Sequence, residues 1–196
     1  AVFERIEGAC QAIDAAIGNP RIRAKAGVFV GSTPALRNIA PSDTVDFAKI
    51  ACDSIKRDAD TCWAVYTEEM GRHIEARAQV LEAFDAALAD GSIKVFAQPI
   101  VRACTGKVCV VEALARWDTP QGERLAPDEF VPVLEDARLI HKLDLHVIES
   151  VMRTLRAELD AGESIIPVSI NVSRVDFNLI DVYEAVDRVA RTFEIP

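Results

Sequence analysis

Three short segments in the second half of the chain carry residue types that can meet a cation or a phosphate. Glu112 follows the run Val108-Cys109-Val110-Val111, and Asn171 ends the run Ile165-Ile166-Pro167-Val168-Ser169-Ile170. Runs rich in β-branched residues read as strands. A carboxylate and an amide oxygen converging at C-terminal strand ends would occupy the active-site face of a (β/α)-barrel. Both are hard oxygen donors, suited to Mg²⁺ or Mn²⁺ and not to zinc. Arg116 lies four residues after Glu112, and its planar guanidinium suits bidentate contact with a phosphate. Gln98-Pro99 forms the third segment, on a preceding strand. Spacing alone leaves each residue a second meaning: Glu112 as a solvated strand-end acid, Asn171 as a turn or cap residue, Arg116 as a surface charge, Trp117 as a core aromatic.

Other chemistries find less to stand on. His141 and His146 are five apart, about 140° around a helix, which is no metal pair. The cysteines, at 10, 52, 62, 104 and 109, are odd in number and form no CxxC. They read as free, mostly buried thiols in a reducing cytosol, although Cys104 and Cys109 could approach across a hairpin. Of 196 residues half are apolar, 27% are charged and the net charge is −9. That composition is globular and argues against broad binding to DNA or RNA backbones. A local basic pocket for a small anionic ligand is compatible with it. No run approaches the roughly 18 apolar residues of a membrane span, and no basic segment leads an apolar one as in a signal peptide.

The elements that must position these residues follow from periodicity. Phe3, Ile6, Cys10, Ile13 and Ile17 predict a helix over 1–18, stopped by Gly18-Asn19-Pro20. Residues 21–30 predict a strand, 31–41 a loop, and 43–57 a helix with Ser42 as its N-cap. Cys62 to Tyr66 predicts a short buried strand. One long helix is expected over 68–89, with Ile74, Ala78, Leu81, Phe84 and Leu88 as its apolar stripe and Gly91 beyond its end. Residues 94–102 and 107–113 predict a hairpin about the turn Thr105-Gly106. A short helix over 127–139 and a longer one over 140–161 follow, the latter with Leu143, Val147, Val151, Leu155 and Leu159 inward and Gly162 closing it. A strand over 165–172 and a helix over 179–193 complete an α/β order that suggests the beginning of a barrel.

The combination resembles the EAL domain of bacterial cyclic-di-GMP phosphodiesterases. The likeness runs through Phe96-Ala97-Gln98-Pro99-Ile100-Val101, Thr105-Gly106-Lys107, Glu112-Ala113-Leu114-Ala115-Arg116-Trp117, Pro127, Phe130-Val131-Pro132, Glu135, Leu143-Asp144 and Val168-Ser169-Ile170-Asn171-Val172-Ser173. It implies a modified TIM barrel with an antiparallel first strand. It implies Glu112 and Asn171 as metal ligands, Arg116 on the ligand phosphate, and Gln98 and Leu114 as further ligand-binding residues. The implied reaction is hydrolysis of cyclic-di-GMP to pGpG with two metal ions, Mg²⁺ or Mn²⁺; a non-catalytic cyclic-di-GMP receptor is the alternative.

Residues 1–67 resemble the C-terminal half of a degenerate GGDEF domain. Lys25-Ala26-Gly27-Val28 stands at its strand, and only an Asp46-Phe47-Ala48 echo remains of its helix motif. The signature loop is absent, so no cyclase activity is expected. Residues 68–91 would be a connecting helix and 92–196 the front of the EAL domain. The family's remaining ligands are expected downstream of residue 196, and residues 92–196 compare with about 250 for a barrel. The expectation is therefore a cytoplasmic piece of a longer protein, catalytically silent alone, with exposed strand edges and apolar faces. Association as a homodimer through the EAL part or the connecting helix is also expected.

Overall fold

The structure is a computed structural model, and it describes residues 2–19, 22–31 and 39–195. The chain divides into two compact units, residues 1–76 and 77–196.

In the first unit, α1 (Val2–Ile17) is followed by β1 (Ala26–Val28), α2 (Pro41–Ser54) and β2 (Trp63–Val65), and α3 (Glu68–Asp90) begins. Strands β1 and β2 pair in parallel, Gly27 against Ala64. Any Cβ at Gly27 would collide with the Ala48 carbonyl, so the glycine is what lets α2 lie close on the strand. The strand expected over 21–30 contracts to three described residues because β2 offers only three partners. Residues 32–38 of the expected loop, and Arg21, lie outside the described residues. Ser42 is not the N-cap: α2 starts at Pro41 with Ala40 as cap, and Ser42 Oγ donates to Asp43 Oδ1 instead. Proline at the first helical position has its φ preset and no N–H to lose, so it takes the start from the serine. Helix α2 also ends at Ser54, short of residue 57.

The second unit contains the rest of α3, then β3 (Ile93–Val101), β4 (Val108–Asp118), β5 (Arg124–Leu125), α4 (Pro127–Asp136), α5 (Ile140–Asp160), β6 (Val168–Ile170), a 3₁₀ turn (Asp176–Asn178) and α6 (Val182–Thr192). Strand β3 is antiparallel to β4, while β6 is parallel to it, with α5 in the crossover. This is the opening arc of a barrel with a reversed first strand. Gly106, at φ 66°, makes the hairpin turn. Gly162, at φ 75°, lies just past the end of α5.

The core sits between α3, the base of the hairpin, α4 and α5. Phe84, Trp117, Phe130, Leu134 and Ile140 are fully buried there. Trp117 packs at 6.0 Å from Phe84 and edge-on at 5.6 Å from Phe130. On α5, Leu143, Val147 and Val151 face inward as the periodicity requires. On α3 the buried residues are Val80, Phe84 and Ala87, and Ile74 of the expected stripe is exposed. All five cysteines are free; only Cys10 is buried, whereas Cys104 lies exposed in the hairpin loop. The expectation of mostly buried thiols is therefore corrected.

Candidate functional site

Strand β4 is longer than periodicity suggests. It runs on to Asp118, because β3 pairs with it down to Ile93 opposite Trp117 and β5 adds a short pairing at Trp117 and Asp118. Glu112 therefore sits in mid-strand and not at a strand end. It stands opposite Gln98 of β3 and in register with Ser169 of β6.

Alternation along β4 sorts its side chains onto two faces. Ala113, with Val95, Val168 and Ile170 beside it, packs against Val147 and Val151 of α5. Glu112, Leu114 and Arg116 take the opposite face, with Gln98 and Phe96 as the cross-strand partners of Glu112 and Leu114. Asn171 follows the last paired residue of β6 and keeps the parity of Ser169. Its Nδ2 donates to Glu112 Oε1 at 2.8 Å, joining residues 59 apart in sequence. Thus Glu112 and Asn171 meet. Gln98 lies across from Glu112 and is exposed, whereas Leu114 and Arg116 are half-buried.

Arg116 is on the same face as Glu112 but about 13 Å further along the strand. Its Nη1 donates to the Ala115 carbonyl at 2.7 Å, and among the described residues it has no carboxylate partner. The cation is held in place by its own strand and remains available to an anion. The neighbouring cations behave differently. Lys94 Nζ and Arg124 Nε bind Asp118 at 2.7 and 2.6 Å. Those two contacts, Arg124 first, hold the Asp118 carboxyl down at about 2.

A divalent cation fits Glu112 and Asn171 by donor chemistry, since both offer oxygen and neither sulfur nor imidazole intervenes. The set is partial: among the described residues no three His, Cys, Asp or Glu side chains gather as a metal group. Around it the hairpin exposes apolar side chains in both directions along β3, Phe96 on one side of Gln98 and Ile100, Val101 and its partner Val108 on the other.

One polar cluster next to this site has no place in the sequence-level reading of function. Ser173, two residues past Asn171, donates its N–H to Asp144 Oδ2 at 2.8 Å and its hydroxyl to Glu135 Oε1 at 2.6 Å. Asp176 is fully buried close by. The available signal was Asp144 itself, an acid four residues from both Ile140 and Ile148 on the buried face of α5.

Comparison with known proteins follows the same residues. The EAL domain family matches residues 81–195, more than half of the chain. The chain is 28% identical over 199 aligned positions to the cyclic di-GMP phosphodiesterase PA2567 of Pseudomonas aeruginosa, covering 98% of this chain and 34% of that protein. It is 28% identical over 127 positions to the oxygen sensor protein DosP of Escherichia coli, covering 65% of this chain and 16% of that one. The solved c-di-GMP complex of the PaMucR phosphodiesterase superposes with a TM-score of 0.55 at 28% identity, over 59% of this chain and 47% of that one. The chain thus spans about a third or less of these two full-length relatives.

Proposed function

The chain belongs to the EAL domain family, and from that premise we propose that it supplies the front half of a cyclic-di-GMP phosphodiesterase site. Glu112 and Asn171 would hold Mg²⁺ or Mn²⁺. When bound, the cation would polarise the phosphodiester and lower the pKa of the attacking water. Arg116, with no acid to neutralise it, would take a phosphate of the ligand, and Gln98 and Leu114 would line the same face. The hydrogen bond between Asn171 and Glu112 is the observation that carries this reading. It brings together two oxygen donors from segments that only a folded sheet makes adjacent.

Hydrolysis to pGpG is proposed for the protein in which this chain is joined to the rest of an EAL barrel. The 196 residues alone are expected to be silent, because the further acids and the lysine that the resemblance implies for catalysis are not among the residues assigned to the site. For the first unit we infer a degenerate GGDEF-like module without cyclase activity, in line with its parallel β1–β2 pair and the close approach of α2 at Gly27. Self-association through the EAL part or α3 is proposed with it.

The test is an assay of that longer protein with Mg²⁺ or Mn²⁺ for pGpG release, alongside calorimetric binding of cyclic-di-GMP. Release abolished by Glu112→Gln supports the enzyme. Tight binding without release turns the reading to a receptor, and absence of both removes it.

A further inference from the structure

Asp144 and Asp176 are the buried charged residues of the described chain, 7% and 0% exposed. Asp144 comes from α5 and Asp176 from the 3₁₀ turn after β6. Both acids are tied to Ser173, whose N–H donates to Asp144 Oδ2 at 2.8 Å and whose carbonyl accepts from Asp176 N at 3.1 Å, and each carboxyl acts on the charge of the other. Yet neither oxygen of Asp176 receives a donor from any N–H or hydroxyl among the described residues. Two adjacent carboxylates in a dry space cannot both ionise cheaply. A proton on Asp144 resolves both difficulties, since a protonated carboxyl becomes the donor that Asp176 lacks. Burial, first, then Asp176 and Glu135 push Asp144 up to about 7. Burial also pushes Asp176 up. Among the described residues, the groups that act on the pair are Glu135 from α4 and the Ser173 amide from the loop.

The pair is tied to the site through the loop that follows β6. Ser173 accepts from Val175 N at 3.2 Å through its hydroxyl, and its carbonyl accepts from Asp176 N at 3.1 Å. With the bonds to Asp144 and Glu135, this one serine is pinned from α4, from α5 and from its own turn. Asn171 is two residues away, just past a strand of only three residues, and its amide is held from one side by Glu112 and along the chain by Ser173.

We propose that Asp144 and Asp176 hold one proton between them and, through Ser173, position Asn171 against Glu112, so that full ionisation of the pair loosens the end of β6. Both are positioning residues. The consequence for metal binding rests on the proposed function above; the shared proton does not.

The experiment uses the 196-residue chain. Carboxyl carbon shifts of the aspartates are followed by NMR through a pH titration, with amide exchange of Ser173 measured alongside. In the wild type the pair should titrate as a unit with a step near neutral pH. Protection of Ser173, corrected for intrinsic exchange, should fall at least about tenfold between about pH 6 and about pH 8.5. Asp176→Asn provides an N–H donor of the same shape and should hold protection level. Should that variant not fold, Asp144→Asn keeps an acceptor for Ser173 and serves in its place. The idea is overturned if both aspartates titrate in the ordinary carboxylate range. It is equally overturned if the variant loses protection with pH as the wild type does. Broadening of the Asn171 signals by Mn²⁺ is read in the same samples, and its midpoint should rise with pH in the wild type only. No Mn²⁺ response at any pH, with the titration and exchange as expected, removes the metal reading and leaves the shared proton standing.

Discussion

Asn171 and Glu112 lie 59 residues apart in the chain and are joined by a single 2.8 Å hydrogen bond across the parallel pairing of β4 and β6. The bond spends the amide N–H of one on the carboxylate of the other. Among the described residues their remaining oxygens have no such commitment, which is the condition for sharing a cation.

Metal binding by the chain should therefore depend on both side chains. Glu112→Gln removes the charge and keeps the shape. Asn171→Ala removes the amide and leaves Glu112 without its donor. Each should weaken Mn²⁺ binding by at least about tenfold, read by paramagnetic relaxation or calorimetry. Equal affinity in wild type and Glu112→Gln would place the cation elsewhere.

Among the described residues Arg116 hydrogen-bonds only the neighbouring Ala115 carbonyl, so its removal should leave the fold nearly untouched. Binding of cyclic-di-GMP to the longer protein should fall by about 10- to 100-fold in Arg116→Ala, the range for one lost charge-assisted bond. Arg116→Lys should not restore it, because an ammonium lacks the planar fork. The two variants are compared by calorimetric titration, with thermal melting as the control.

Trp117 is packed between Phe84 and Phe130 with 2% of its surface exposed. Trp117→Ala should cost about 3–5 kcal/mol and release the base of the β3–β4 hairpin. Gly27→Ala should act in the other unit by forcing α2 off β1 at Ala48. Each variant should broaden the NMR signals of its own compact unit. Chemical-shift mapping of both variants decides the matter.

How much of this was legible beforehand differs from element to element. Helix α5 was readable because Leu143, Val147 and Val151 repeat at helical spacing and all three are buried. The hairpin was readable from Thr105-Gly106, where a positive φ is required. Glu112 and Asn171 were singled out as residues that follow β-branched runs at strand ends, whereas the structure sets Glu112 in the middle of β4. The extent of β4 was not, since Ala113-Leu114-Ala115-Arg116 is ambiguous alone and its length is set by partners, β3 and the unforeseen β5. Strands β1 and β6 shrink to three residues for the same reason. Asp144 entered only as part of the family likeness, with no role, because an acid beside an apolar stripe looks like a helix flank until the fold brings Ser173 to it.

Two shifted acids of the second unit, Asp118 and Asp144, act on stability with opposite signs. Asp118 is held at about 2 by Arg124 and Lys94, below its unfolded value of 3.8. It contributes stability above 3.8 that is lost as pH falls through about 2. Asp144 is raised to about 7, so the native state keeps a proton that the unfolded chain releases near 3.8. Between those values the unfolded state binds fewer protons, and stability must fall as pH rises. Asp118 is partly exposed and its share is reduced by solvent screening. Asp144 is buried, and its share amounts to at most roughly 4 kcal/mol across that interval. The second unit should thus be more resistant to urea at about pH 5 than at about pH 7.5, with Asp176→Asn narrowing the difference. Trp117 fluorescence in a Trp63→Phe background isolates the unit, since Trp63 belongs to the other one. A urea midpoint that is flat or rising from the lower to the higher pH would mean that Asp144 is ionised throughout, and that its pairing with Asp176 contributes nothing to the fold.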